Sequence, residues 1–214
     1  MAALFKRFNS KGFLLLYLVV FASLLSVWIF RLEQARYDHR EIPESLRPVL
    51  VSPVTALPQF VLYDLDKQVL TEQSLLGKWS FIYFTHPLCL PQCEPVLSVM
   101  HNLKQLFASS DMQFLLINFD NRQASVDMEK AFASREMSFP LYSGEKKMLT
   151  TVMEAFGFLY LQTELEQGYS LEQQHSLFLT DPKGRLYARF EPPFTSLAIQ
   201  QTFFELRDFY ARSE

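Results

Sequence analysis

Cysteine is almost missing from this chain. Its 214 residues contain two, Cys89 and Cys93. A scaffold of several disulfides is therefore excluded, and a bonded pair would serve function rather than framework. A basic excess is also missing, with 20 Lys and Arg against 23 Asp and Glu and a net charge of −3. The signs are mixed along the chain, so there is no basic footprint and no nucleic-acid partner is expected. No internal repeat or low-complexity tract is visible. The apolar fraction of 49% and the 21 phenylalanines are ample for a core, and the length suits one anchored domain.

Charge is wholly absent from Gly12 to Phe30, nineteen positions in a row. That is long enough to span a bilayer. Lys6, Arg7 and Lys11 precede the run, while Arg31, Arg36 and Arg40 follow it, offset by Glu33, Asp38 and Glu41. A short basic N-terminus (residues 1–11) before a first apolar segment (12–30) predicts an uncleaved signal-anchor with the following domain translocated. The alternatives are a cleaved signal peptide and a buried core helix. Cleavage would call for small residues at the end of the run, which here closes on Trp28-Ile29-Phe30. Residues 31–57 are polar with Pro43, Pro48 and Pro53, and read as a tether with some local helix.

From residue 58 to 212 strand and helix patterns alternate. Phe60–Asp64 and Lys67–Leu70 read as a short hairpin. Ser80–Phe84 and Met112–Phe119 are apolar runs expected of strands buried on both faces. Pro95–Phe107 carries Val96, Val99, Met100, Leu103 and Leu106 close to helical spacing, with proline suited to the first turn. Ser125–Arg135 and Glu145–Phe156 are expected to be helices, the second stopped by Gly157. Ser176–Thr180 and Leu186–Phe190 are strands joined by the turn Asp181-Pro182-Lys183-Gly184. Ser196–Tyr210 is a closing amphipathic helix, with Ser196 as its cap. The order β-α-β-α-α-β-β-α is the pattern of an α/β, thioredoxin-like domain.

The two cysteines lie in Thr85-His86-Pro87-Leu88-Cys89-Leu90-Pro91-Gln92-Cys93-Glu94-Pro95, between the strand ending at Thr85 and the helix opening at Pro95. C-x3-C at such a junction brings two sulfurs together on one loop or helical turn. Such a pair can chelate one soft metal ion or close a small disulfide loop. Two unrelated core cysteines are the plainer alternative. The N-terminal end of the helix favours the thiolate form.

His175 stands immediately before the first strand of the terminal hairpin, after a loop from Gly157 to Gln174 that can fold back over the cysteines. Two thiolates and an imidazole suit copper, because sulfur prefers Cu(I) and nitrogen helps to hold Cu(II). A histidine at such a position can equally face solvent. Among the others, His86 is a candidate extra ligand or a solvent-facing loop residue, and the latter is expected. His101 is expected on the helix surface and His39 in the tether. Asp120 could orient the site or cap a turn, and Met100 and Met112 are expected in the core.

Several of these segments together resemble the Sco/SenC family. They are Phe84-Thr85-His86, the Cys89–Cys93 spacing, Asn118-Phe119-Asp120, His175-Ser176 before Asp181-Pro182-Lys183-Gly184, and Gly77-Lys78-Trp79. The resemblance covers roughly Pro58 to Tyr210. It implies a membrane-anchored thioredoxin-fold copper protein that helps to assemble the copper centre of cytochrome c oxidase. It maps the family's two cysteines and distal histidine onto Cys89, Cys93 and His175 as ligands of Cu(I) or Cu(II). The expected partners are the membrane and the copper-bearing subunit of the oxidase or another copper or thiol protein. The expected location is the inner membrane of a bacterium, with the domain in the periplasm. The family pattern F-T-x-C-P-x-x-C-P is altered here. Cys89 comes two residues later, each proline follows its cysteine by two, and Gln174 replaces the usual acidic residue before the histidine.

A thiol-disulfide oxidoreductase using Cys89 and Cys93 without stable metal is the competing reading. The usual spacing for that chemistry is C-x2-C. A peroxidase would need an activated cysteine with supporting Thr and Arg, and no such motif is visible. A purely structural anchored module is the remaining alternative.

Overall fold

The computed structural model describes residues 10–38, 41–107, 111–120 and 138–213. The helix expected over Ser125–Arg135 and the position of His39 lie outside them. The chain divides into two compact units, Met1–Glu44 with Glu205–Glu214, and Ser45–Phe204.

The first unit contains helix α1, Ser10–Asp38. Its described apolar side chains, including Leu14, Leu18, Phe21, Leu24 and Trp28, are exposed. Among the described residues no helix is long and apolar enough to cross a membrane. In α1 the described side chains run unbroken only from 16 to 29.

The second unit is built on a six-stranded sheet in the order β1 (Leu50–Ala56), β10 (Arg185–Phe190), β9 (Leu177–Thr180), β4 (Trp79–Thr85), β5 (Met112–Asn118) and β6 (Leu141–Tyr142). Strands β4 (Trp79–Thr85) and β5 (Met112–Asn118) are parallel neighbours at its centre. Every residue of β4 is buried, as expected of a mostly apolar run covered on both faces. Alternation sends Ile82 and Phe84 to one face and Phe81 and Tyr83 to the other. On the first face Phe84 meets Phe156, Phe158 and Phe178 at ring-centre distances of 4.5–5.6 Å. Helix α3 (Lys146–Phe156) adds Leu149, Val152 and Met153 there. On the second face Phe81 packs with Phe107, Phe114 and Phe203. Helix α2 (Glu94–Leu106) buries Val96, Met100 and Leu103 of the expected apolar stripe together with Leu97, while Val99 is half-buried and Leu106 is exposed. β9 (Leu177–Thr180) runs antiparallel to β4, and β10 (Arg185–Phe190) antiparallel to β9. Asp181 secures their turn by accepting from the backbone N–H of Lys183 and Arg185. Gly184 supplies the positive φ of 73° that the turn needs.

Four expectations are corrected, and a short strand at residues 141–142 is added. Residues 50–56, read as tether, form β1 on the sheet edge against β10. Val51, Val54 and Thr55 favour a strand, and an edge tolerates Pro53. The stretch after Gly157, read as loop, is a hairpin of β7 (Tyr160–Glu164) and β8 (Tyr169–Gln173). A two-residue strand β6 (Leu141–Tyr142) joins β5. Helix α4 (Ser196–Ser213) is capped by Thr195, whose hydroxyl accepts from the N–H of Ala198 at 3.2 Å, and not by Ser196. Met112 opens β5 only half-buried. The hairpin expected near Phe60–Leu70 is present as β2 (Val61–Tyr63) and β3 (Val69–Thr71), and Gly157 ends α3 at a φ of 61°.

Candidate functional site

The candidate site is assembled by strand register. β4 pairs with β9 through Ser80 and Thr180, Phe81 and Leu179, and Ile82 and Phe178. Continued by the same count, this register brings His175 level with Thr85, the last residue of β4 and the start of the cysteine loop. The chain then turns back on itself. The N–H of Cys89 donates to His86 O, that of Cys93 to Cys89 O, and that of Leu97 to Cys93 O, all at 3.0–3.1 Å. This ladder places Cys93 at the N-cap of α2, with proline in the first turn as expected. It brings the two cysteines to a Cα separation of 5.5 Å, where they are joined as a disulfide. Both are buried. The Thr85 hydroxyl lies 3.0 Å from Cys89 Sγ.

Cys89 and His175 line one cleft of about 170 Å³ together with His86, Leu88, Gln92 and the end of β8 from Leu171 to Gln173. The segment from Gly157 to Gln174 thus reaches the cysteine loop as a hairpin. Cys93 is not among the cleft-lining residues. Among the described residues no three or more His, Cys, Asp or Glu side chains are grouped to hold a metal ion. The two sulfurs are consumed in their mutual bond, so the expected ligand set of Cys89, Cys93 and His175 is not assembled in this oxidised form.

His86 corrects the sequence expectation most sharply. It is 2% exposed, with its ring 5.4 Å from that of Phe119, and its Nδ1 has no hydrogen-bond partner. Burial lowers its pKa to about 4; Asp120 pulls the value up, and His175 adds to the lowering. Asp120 is itself buried at the end of β5, where its carboxylate accepts from the Tyr169 hydroxyl and its N–H donates to Asn118 Oδ1. Burial also lowers the pKa of His175. His175 Nδ1 lies 2.8 Å from the hydroxyl of Tyr83, which is fully buried and has its pKa raised by desolvation. Gln173 Nε2 donates to that hydroxyl at 3.0 Å and to Phe84 O at 2.7 Å. Tyr83, Gln173 and Tyr169 are site neighbours that the sequence did not single out, while Thr85 stood in the Phe84-Thr85-His86 segment without a role of its own. The one signal was a polar tip, Tyr83, inside an otherwise apolar run. His101 sits on α2 as expected, half-exposed and 2.7 Å from Gln105 Nε2, and Met100 is in the core.

The lowered pKa of His86 sets a pH dependence. Its folded value lies below the ordinary 6.5, so the unfolded chain binds the proton first. Stability is then full above about pH 6.5 and falls as the pH drops toward 4. The metal-free chain is expected to show a lower urea midpoint at pH 5 than at pH 7, and His86→Phe to flatten that difference. Equal midpoints in the unmodified chain would contradict this.

The SCO1/SenC family model matches residues 52–205. A Stutzerimonas stutzeri protein named for copper binding is 26% identical over 176 residues, covering 80% of this chain and 86% of that one. The crystal structure of Arabidopsis thaliana ScoI with copper bound aligns with a TM-score of 0.59 at 17% identity, over 71% of this chain and 97% of that one. The thioredoxin domain of a Bacteroides vulgatus thiol-disulfide oxidoreductase aligns with a TM-score of 0.52 at 14% identity, over 71% and 94%. These likenesses establish the thioredoxin-like fold.

Proposed function

The chain belongs to the SCO1/SenC family, and from that premise we propose a membrane-anchored copper-binding protein that assists metallation of the copper centre of cytochrome c oxidase. The observation that carries this reading is the cleft shared by Cys89 and His175, residues 86 positions apart in sequence. Copper is the cargo here. A dithiol partner delivers two electrons and two protons to the S–S bond, giving two thiols. Cu(I) then displaces the thiol protons and binds both thiolates, while imidazole supports the harder Cu(II). Exchange with a partner disulfide, which takes up the two electrons and leaves as a dithiol, re-forms the Cys89–Cys93 bond, withdraws both thiolates and releases the metal.

The test is copper titration of the reduced full chain in detergent micelles. His175→Ala should keep Cu(I) through the dithiolate and lose most Cu(II). Equal Cu(II) binding in the two chains would remove His175 from the ligand set.

The anchor and the location rest on the uncharged run Gly12–Phe30 after a basic N-terminus and on the exposed apolar side chains of α1. In this reading the helix stays in the inner membrane of a bacterium and the domain faces the periplasm. A reporter fused after Glu214 that is active only in an oxidising compartment should be active. A mature chain beginning beyond Phe30 would defeat the anchor.

The disulfide, with the Thr85 hydroxyl against Cys89 Sγ, favours a second reading, thiol-disulfide exchange. That activity needs both cysteines and leaves His175 dispensable.

A further inference from the structure

Tyr83 lies in the central strand with no solvent exposure, so its hydroxyl must find partners within the protein. It has two, Gln173 Nε2 and His175 Nδ1. The orientation of the Gln173 amide is fixed by chemistry. The same nitrogen faces the Phe84 carbonyl, which can only accept, and a turned amide would set oxygen against oxygen. Gln173 therefore donates to Tyr83, and the single phenolic hydrogen is left for the other neighbour, Nδ1 of His175. A neutral imidazole that accepts at Nδ1 carries its hydrogen on Nε2.

We infer that Tyr83, held by Gln173, sets the tautomer of His175, so that the nitrogen left for the cysteine cleft is a protonated Nε2 that must lose its hydrogen before it can bind copper. This rests on the proposed ligand role of His175. Tyr83 is a positioning residue in this arrangement and does not touch the metal. Before copper arrives, His175 serves the cleft as a hydrogen-bond donor, a role suited to a thiolate at Cys89. When Cu(II) takes Nε2, the imidazole stays neutral. One proton leaves Nε2 and one arrives at Nδ1, by exchange with solvent. Nδ1–H then donates to Tyr83 Oη, which already accepts from Gln173, and the phenolic hydrogen loses its acceptor in a buried place. That loss weakens Cu(II) binding and leaves a Cu(I) dithiolate unaffected.

The experiment has two arms on the reduced full chain in micelles. The first is long-range ¹⁵N–¹H correlation NMR without metal. His175 of the unmodified chain should carry its hydrogen on Nε2, and Tyr83→Phe should give a mixture of tautomers. The second is Cu(II) and Cu(I) competition titration of the unmodified chain, Tyr83→Phe and His175→Ala. Tyr83→Phe removes the stranded hydroxyl and should bind Cu(II) about tenfold more tightly, with Cu(I) affinity unchanged. A hydrogen on Nδ1 in the unmodified chain, or a Tyr83→Phe chain that binds Cu(II) no more tightly, overturns the inference. If His175→Ala keeps Cu(II), the ligand role fails while the tautomer result stands separately. The first arm needs no substitution, so it decides even if Tyr83→Phe folds poorly.

Discussion

Replacing Cys89 or Cys93 by serine is expected to abolish Cu(I) retention. Each replacement leaves one thiolate, and no second sulfur exists in the chain to compensate except in methionine thioethers. The loss should exceed the roughly 10- to 100-fold that removal of an outer-shell partner costs a metal site. The same two variants should lose disulfide exchange, because the chain has two cysteines and the bond joins them to each other. Competition titration with a Cu(I) chelator and a thiol-exchange assay read the two losses separately. Either variant holding Cu(I) as tightly as the unmodified chain would remove the dithiolate from the account.

Phe84→Ala is expected to give the largest loss of stability in the domain, about 3–5 kcal/mol. Its side chain is fully buried and touches the rings of Phe156, Phe158 and Phe178. A cavity there cannot collapse easily, since its walls come from α3, β9 and the segment leading into β7. A domain has only about 5–15 kcal/mol in total, so the urea midpoint should fall by a large fraction. Leu88→Ala, at a side chain 46% exposed in the cysteine loop, should stay within about 0.5 kcal/mol. A Phe84→Ala midpoint close to that of Leu88→Ala would mean that the ring cluster is not the core of the fold.

The central strands were legible because β4 and β5 are mostly apolar runs, and α2 because most of its apolar positions fall on one face. Turn chemistry marked Gly157 and the segment from Asp181 to Gly184. The hairpin of β7 and β8 was not legible. Every residue of β7 is exposed, so no apolar alternation announces it, and its strand character comes from pairing with β8. Pro53 disguised β1, which is a strand by virtue of lying at an edge. In the site, the C-x3-C pair and its place before a helix were readable from local sequence. The burial of His86 was not, because a histidine in a proline-rich loop has no local signature of what covers it. The bond between Tyr83 and His175 spans 92 positions. It depends on the register of β4 against β9, which neither strand encodes alone.

Once the disulfide is reduced, Cys89, Cys93 and His175 are proposed to converge on one copper ion. X-ray absorption spectroscopy at the copper edge, on the copper-loaded reduced chain and on His175→Ala, tests this convergence most directly. Two sulfur scatterers and a nitrogen scatterer are expected in the unmodified chain, with both sulfurs retained and that nitrogen lost in the variant. A copper environment without sulfur, or a reduced chain that retains no copper while exchanging disulfides readily, would contradict it and leave the oxidoreductase reading in its place.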